Sequence, residues 1–156
     1  MNFSRFLRHY DRHGRLQEEQ AWFATQPSLR TAIEVAARAE NRQGGRFHHQ
    51  RRIRATAIAA AVPALRAAQP QIAAASTFAD LLEAVTTAVG NIAYIGELYC
   101  YDTAVRLGAF LGVLPDAVYL HAGVREGARA LGIRNRGACI PMSALPRAAT
   151  LASARS

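Results

Sequence analysis

Ionisable and aromatic side chains are concentrated in one stretch of an otherwise alanine-rich chain, residues 90–132. The groups in this stretch best suited to proton transfer are Glu97, Asp102 and His121, and we predict these three as catalytic candidates. Asp102 is the leading acid, because a carboxylate in the middle of an apolar helix can have a raised pKa or serve as the base for an attacking water.

Each candidate also has a structural interpretation that the sequence leaves open. Asp102 and Arg106 stand four residues apart in the acid-first order that favours an ion pair along a helix. Glu97 would be favourable at a helix N-terminus through the helix dipole alone. A single histidine before a helix, as at His121, is commonly a structural hydrogen-bonding residue.

Positive charge is the second marked feature of the chain. All nineteen basic residues of the 156-residue chain are arginine, and the net charge is +8. Without lysine, no Schiff-base mechanism through a lysine amine is open to it. Residues 1–55 carry eleven arginines against five acids. This pattern predicts a positive face that attracts a polyanion, with charge that serves only solubility as the alternative.

Three parts of the sequence are suited to binding nucleic acid. The connection before Gly96 joins two predicted helices, and free amides in the first turn of a helix can bind a phosphate oxygen. The window after Gly44 and Gly45 is the most basic of the chain and can hold a phosphate backbone, although a charged loop would look the same. Two further arginines share one face of a predicted helix over residues 122–131. We predict nucleic-acid contacts from Tyr94, Ile95, Gly96, Arg125, Arg129, Arg46, His48, Gln50 and Arg51.

The composition predicts an all-α protein. Alanine dominates the 51% hydrophobic share and aromatic residues make up only 8%, which favours closely packed helices. We predict one compact multi-helix domain over residues 1–156, with basic N-terminal helices in 1–55 and the functional core in 78–132. The predicted helices cover about residues 2–13, 27–40, 55–69, 71–75, 78–89, 97–111, 122–131 and 144–154, with a kink or break near Pro63.

Several features bear on cellular location. Cys100 and Cys139 fit neither a disulfide framework nor a zinc pattern, and the first residues lack the apolar run of a signal peptide. The longest apolar stretch, residues 55–75, is interrupted by two prolines and an arginine and is not a membrane span. We therefore expect a reduced, cytoplasmic protein without a membrane partner. We predict no cofactor and no metal site, since the pair His9 and His13 lacks a third ligand nearby.

The connection between the two central helices resembles a known DNA-binding motif. Ile95-Gly96 and the later run 102–104, DTA, are similar to the hydrophobic-glycine pair and the Thr-Ala of the helix-hairpin-helix motif. This resemblance implies that residues 78–132 form a helix-hairpin-helix-like core that binds DNA.

The residues that follow extend the resemblance to the helix-hairpin-helix DNA glycosylase superfamily. Arg125 and the run 128–132, ARALG, resemble the Arg-x-x-x-x-Leu-Gly ending of that superfamily, one residue longer here. His121 falls near the position of its catalytic aspartate, whereas its lysine has no counterpart in this chain. The resemblance implies a monofunctional base-excision N-glycosylase in which a carboxylate or histidine activates water.

Two other classes of function stay open. A non-catalytic helical module that binds nucleic acid or protein would keep the scaffold and lose the chemistry. An enzyme acting on a free nucleoside or sugar would use the same acids without a polymer.

Overall fold

The computed structural model describes residues 15–119 and 139–141, with side chains described for residues 18–119, 139 and 140. The fold is mostly helical, which confirms the predicted all-α class. None of the helices in these residues is both long and apolar enough to cross a bilayer. The described helices are α1 (Arg15–Ala24), α2 (Leu29–Ala37), α3 (Ala55–Ala67), α4 (Gln69–Ala74), α5 (Phe78–Val89) and α6 (Glu97–Leu111), and the strands are β1 (Ala117–Tyr119) and β2 (Cys139–Pro141).

Helix α5 begins and ends where the sequence predicts. Thr77 caps it, since the Thr77 hydroxyl accepts from the Asp80 amide at 3.1 Å and the Asp80 carboxylate accepts from the Thr77 amide at 3.0 Å. Hydrogen bonds from Thr77 and then Ser76 hold the pKa of Asp80 below its usual range. The helix buries an apolar stripe at three- and four-residue spacing, formed by Phe78, Leu81, Val85 and Val89.

Helix α6 also keeps its predicted bounds. Gly96 is its N-cap and Gly112 its left-handed C-cap, with φ 73°. Near its end the chain folds back so closely that the Val113 amide donates to the carbonyl of Gly108 at 2.9 Å. A Cβ on Gly108 would overlap the Val113 carbonyl oxygen, so only glycine fits there without movement.

Three helices, α2, α3 and α4, differ from their predicted bounds. Helix α2 starts at Leu29, after Ser28 accepts a hydrogen bond from the Thr31 amide, and it ends at Ala37 rather than near residue 40. It stops early because Ala39 takes a left-handed conformation with φ 54°. Helix α3 continues through Pro63 without the expected break, and Pro70 lies instead in the first turn of α4, where a missing amide hydrogen is tolerated.

The core lies where α6 packs on α5 and α2, with α3 against α2 and α5. The hydroxyl of Tyr99, in α6, donates to the carbonyl oxygen of Ala37 at 2.6 Å and is buried with it. At the surface Arg66 of α3 forms an ion pair with Glu34 of α2, and Arg66 lowers the pKa of Glu34. The largest fully buried apolar side chains of this core include Phe23, Ile33, Leu65, Ile72 and Leu107.

Residues Glu19–Pro115 form one compact unit, and the strand pair belongs to a second unit. The strands are antiparallel, with Ala117 opposite Pro141 and Tyr119 opposite Cys139. The sequence did not predict these strands, because the paired residues lie 20 to 24 positions apart in the chain. The helices predicted over residues 2–13, 122–131 and 144–154 lie outside the described residues.

Candidate functional site

The basic segment 46–54 forms a loop before α3, and a hydrogen bond joins the two ends of this loop. Asn41 folds the chain back before it, since its side-chain oxygen accepts from the amides of Gln43 at 3.0 Å and Gly45 at 3.1 Å. The guanidinium of Arg46 then donates to the carbonyl of Ile53 at 2.9 Å, which closes the segment on itself. Arg46, predicted to contact phosphate, therefore has a structural hydrogen bond in this loop.

A single helical turn in that loop, His48–Gln50, places two side chains against Asp102 of α6. Nε2 of His49 lies 2.7 Å from Oδ2 of Asp102, and Nε2 of Gln50 donates to the same oxygen at 2.8 Å. The His49 side chain is 51% exposed and that of Asp102 19% exposed. The carboxylate is thus held from the protein side while the imidazole faces solvent.

Arg106, one helical turn after Asp102, lies beneath this pair and is only 4% exposed. Its Nη2 lies 4.0 Å from Oδ2 of Asp102, and its Nε lies 3.7 Å from Oε1 of Glu19 in α1. The guanidinium carbon also stacks 4.1 Å from the ring centroid of Phe47. The Asp102–Arg106 pair expected as a structural alternative is present, and it occurs together with the His49 contact.

Burial dominates the electrostatics of this cluster. Burial lowers the pKa of Arg106, although Asp102 and Glu19 act in the opposite direction. Burial likewise raises the pKa of Glu19, although Arg106 lowers it. The ion pairs therefore offset only part of the cost of removing these charges from water.

Two polar atoms of the cluster have no hydrogen-bond partner among the described residues. They are Oε1 of Gln50, a residue 2% exposed, and Nη1 of Arg106. Gln50 donates to Asp102 through Nε2, and Nη2 of Arg106 lies 4.0 Å from the same carboxylate. Buried polar groups are normally satisfied, so a donor and an acceptor are spare beside this carboxylate.

The bend between α5 and α6 lies on the surface. Tyr94 is 61% exposed with φ 71°, a strained conformation for a non-glycine residue. Gly96 is exposed, and a Cβ added to it would meet nothing within 4 Å. The guanidinium carbon of Arg54 lies 4.0 Å from the centroid of the Tyr94 ring. Glu97 occupies the first turn of α6 and is exposed, a position that the helix dipole favours.

The basic segment and the bend, predicted separately, therefore adjoin each other within the unit Glu19–Pro115. Arg54 connects the end of the segment to Tyr94, and His49 connects its middle to Asp102. Arg51 and Arg52 lie between these two contacts in the chain and are exposed. The segment 46–54 and the residues that it contacts thus bring together several arginines, an exposed tyrosine and a carboxylate-bound imidazole.

The other predicted contact residues fall into three groups. His48 and Arg51 are exposed on the segment, and Ile95 is half-buried in the bend. Gln50 is buried and bound to Asp102, so it belongs to the cluster and not to the exposed surface. Predicted site residues outside the described part of the chain are His121, Arg125 and Arg129.

His49, Arg54, Glu19 and Phe47 were not among the predicted site residues. His49 and Phe47 had a usable signal, since both stand beside His48 in the most basic window of the chain, where an aromatic ring can stack or pack. Glu19 had none, because its contact to Arg106 depends on how α1 packs on α6. Within residues 15–119 and 139–141, no three His, Cys, Asp or Glu side chains gather as a metal-binding group.

Comparison with known proteins gives no relative for this chain: no protein-family model, no curated protein sequence and no solved structure matches it.

Proposed function

We propose that this chain is a nucleic-acid-binding protein whose binding surface consists of residues 46–54 and the bend Tyr94–Gly96. The observation that carries the proposal is the stacking of Arg54 on Tyr94, because it joins the arginine-rich segment to an exposed aromatic ring. Guanidinium groups bind phosphate, and an exposed tyrosine can stack on a base. The net charge of +8 would draw a polyanion to the protein.

The exposed N-terminus of α6 also favours phosphate binding at this surface. Gly96 leaves the first amides of the helix uncovered by a side chain, and such amides favour a phosphate oxygen. Glu97 opposes this, since its exposed carboxylate adds negative charge at the same helix end. We therefore assign most of the phosphate binding to Arg51, Arg52 and Arg54.

DNA is the partner that the helix-hairpin-helix resemblance implies, and base excision is the reaction. For that reaction Asp102 would activate water directly. Its Oδ2 already accepts hydrogen bonds from His49 and Gln50, which suits a supporting role for Asp102 better than direct attack on water. N-glycosidic hydrolysis of DNA stays a prediction, and nucleic-acid binding is the function that we propose.

Fluorescence anisotropy with labelled oligonucleotides tests the proposal. We expect the chain to bind a DNA duplex of about 20 base pairs and a single-stranded RNA of about the same length. The affinity for both should fall steeply as the salt concentration rises from about 50 to about 300 mM. Arg54→Gln should weaken binding and reduce the salt slope by about one phosphate contact. The matched control is Arg30→Gln, which removes the same charge from an arginine of α2 that pairs with Glu34.

Two results would overturn the proposal. One is the absence of salt-sensitive binding to any of these oligonucleotides, which would leave a protein-interaction module as the remaining function. The other is an equal loss of affinity in Arg54→Gln and Arg30→Gln, because binding would then depend on total charge and not on this surface.

A further inference from the structure

One feature of the surface is not needed for binding: the hydrogen bond between His49 and Asp102. A carboxylate that holds one ring nitrogen fixes the orientation of an imidazole and stabilises its protonated form. The His49 side chain is 51% exposed, and its Nε2 is the ring nitrogen that faces Asp102, which leaves Nδ1 as the nitrogen that can act on a ligand. The pair has the arrangement of a general base with its supporting acid.

The support behind Asp102 is extensive for a purely surface contact. Gln50 donates to the carboxylate from a fully enclosed position, and the buried Arg106 lies 4.0 Å away. Arg106 is itself fixed by the Phe47 ring and by Glu19. Burying charged groups costs free energy of folding. In this cluster the buried groups fix the carboxylate of Asp102 beside the imidazole of His49.

We propose that His49 is the general base of a ribonuclease site on this surface and that Asp102 is its positioning residue. The proposal rests on the proposed nucleic-acid binding. It deepens that function by naming the substrate as RNA and the reaction as cleavage of a phosphodiester bond.

RNA is the substrate because it brings its own nucleophile. The 2′-hydroxyl of RNA lies beside the phosphate and needs only a base to remove its proton. His49 supplies that base, and the arginines of the segment can stabilise the negative charge that develops on the phosphoryl oxygens.

The reaction is a transesterification whose atoms balance without a co-reactant. Nδ1 of His49 takes the proton of the 2′-hydroxyl, and the 2′-oxygen forms a bond to phosphorus. The bond between phosphorus and the 5′-oxygen breaks, and its electron pair goes to that oxygen, which takes a proton from water. The products are a 2′,3′-cyclic phosphate and a 5′-hydroxyl, and the imidazolium of His49, paired with Asp102, returns its proton to solvent.

The test uses the full chain and a 5′-labelled single-stranded RNA, next to the same sequence in DNA and an RNA with one 2′-deoxy position. Mass spectrometry identifies the cyclic phosphate. We expect wild type to cut the RNA, to leave the DNA intact, and to skip the deoxy position. His49→Ala should lose about 100-fold or more of the activity, and added imidazole should restore part of it. Asp102→Asn should lower kcat with little change in KM, since Asp102 does not touch the substrate.

Glu83→Gln, which changes an exposed acid of α5, serves as the matched control and should cut like wild type. If the chain binds RNA but produces no cyclic phosphate, the catalytic proposal is overturned and the binding proposal stands. If His49→Ala prepared in the same way cuts as fast as wild type, the activity comes from another source and the proposal is also overturned. If no oligonucleotide binds, both proposals fail together.

Discussion

Nε2 of His49 lies 2.7 Å from Oδ2 of Asp102, although the two residues are 53 positions apart in the chain. The contact joins the loop after α2 to the middle of α6. Gln50 reaches the same oxygen from the next position in the loop, at 2.8 Å. One carboxylate therefore fixes the loop to the helical core, orients an exposed imidazole and faces a buried guanidinium. Loss of its charge should affect all three.

Asp102→Asn should lower the free energy of unfolding by about 2 kcal/mol, because Arg106 would keep Glu19 as its only carboxylate neighbour in the cluster. The 19% exposure of the Asp102 side chain keeps the loss below that of a fully buried pair. Urea unfolding measures it. The control is Glu83→Gln, which should change stability by about 0.5 kcal/mol or less. Equal stabilities for the two variants would mean that Asp102 contributes no more than an ordinary surface charge.

The local part of the fold was predictable from the sequence. Thr77 with Asp80 three residues later predicts the start of α5, and Gly90 predicts its end. Gly96 and Gly112 gave both ends of α6, because each signal lies within one turn of the boundary that it marks. The left-handed turn at Ala39 was missed, since alanine carries no preference for positive φ and tertiary contacts impose it.

The site was only partly predictable, because local sequence patterns do not indicate contacts between distant parts of the chain. Asp102 was selected from its own helix, where its apolar neighbours and its spacing to Arg106 are visible. The other half of the site comes from a loop 53 residues earlier, and no local pattern states that His49 and Gln50 face Asp102. The strand partner of β1 lies 20 to 24 positions away in the chain, and local patterns do not indicate such a partner either.

Gly108 within α6 and Gly96 at its N-cap should respond differently to the same added methyl group. Alanine has the higher helix propensity by about 1 kcal/mol, so propensity alone predicts that Gly108→Ala stabilises the helix. The added Cβ would overlap the Val113 carbonyl oxygen. This oxygen cannot move aside easily, because the Val113 amide donates a hydrogen bond to the carbonyl of Gly108 itself. We expect the clash to dominate and to cost about 2 kcal/mol.

Gly96→Ala is the matched control, because a Cβ there meets nothing within 4 Å and φ is −114°. Its unfolding free energy should stay within about 0.5 kcal/mol of wild type. Urea unfolding of the two variants side by side decides the matter. A Gly108→Ala protein as stable as Gly96→Ala would show that the turn after α6 relaxes at little cost.

Tyr99 should make the protein less stable at high pH. Burial raises the pKa of Tyr99 to about 12, from an ordinary value of 10.0. Between these values the folded protein keeps a proton that the unfolded chain loses, so stability falls as the pH rises through that window. The expected slope from this group is about 1 kcal/mol per pH unit.

Tyr99→Phe should remove that slope. Below pH 10, about the ordinary pKa of tyrosine, the variant should be less stable by about 1 kcal/mol, because the buried Ala37 carbonyl loses its donor. The difference should shrink as the pH rises. Urea unfolding of wild type, Tyr99→Phe and the exposed control Tyr94→Phe at several pH values measures it. A difference that stays constant with pH would contradict the linkage.

Cys100 should report the opening of α6. Its side chain is 3% exposed, and burial raises the pKa of its thiol, although a hydrogen bond with Thr86 acts in the opposite direction. Both inaccessibility and a smaller thiolate fraction slow reaction with a disulfide reagent. In a Cys139→Ser background, the remaining thiol should react with Ellman's reagent at pH 8 only as fast as the protein unfolds, about 100-fold or more below a free thiol.

Urea should accelerate the reaction in step with the loss of helical circular dichroism. The reciprocal variant Cys100→Ser keeps the partly exposed Cys139 as the comparison. Immediate reaction of Cys100 in the folded protein would mean that α6 opens locally, and the same motion would release Asp102 from His49.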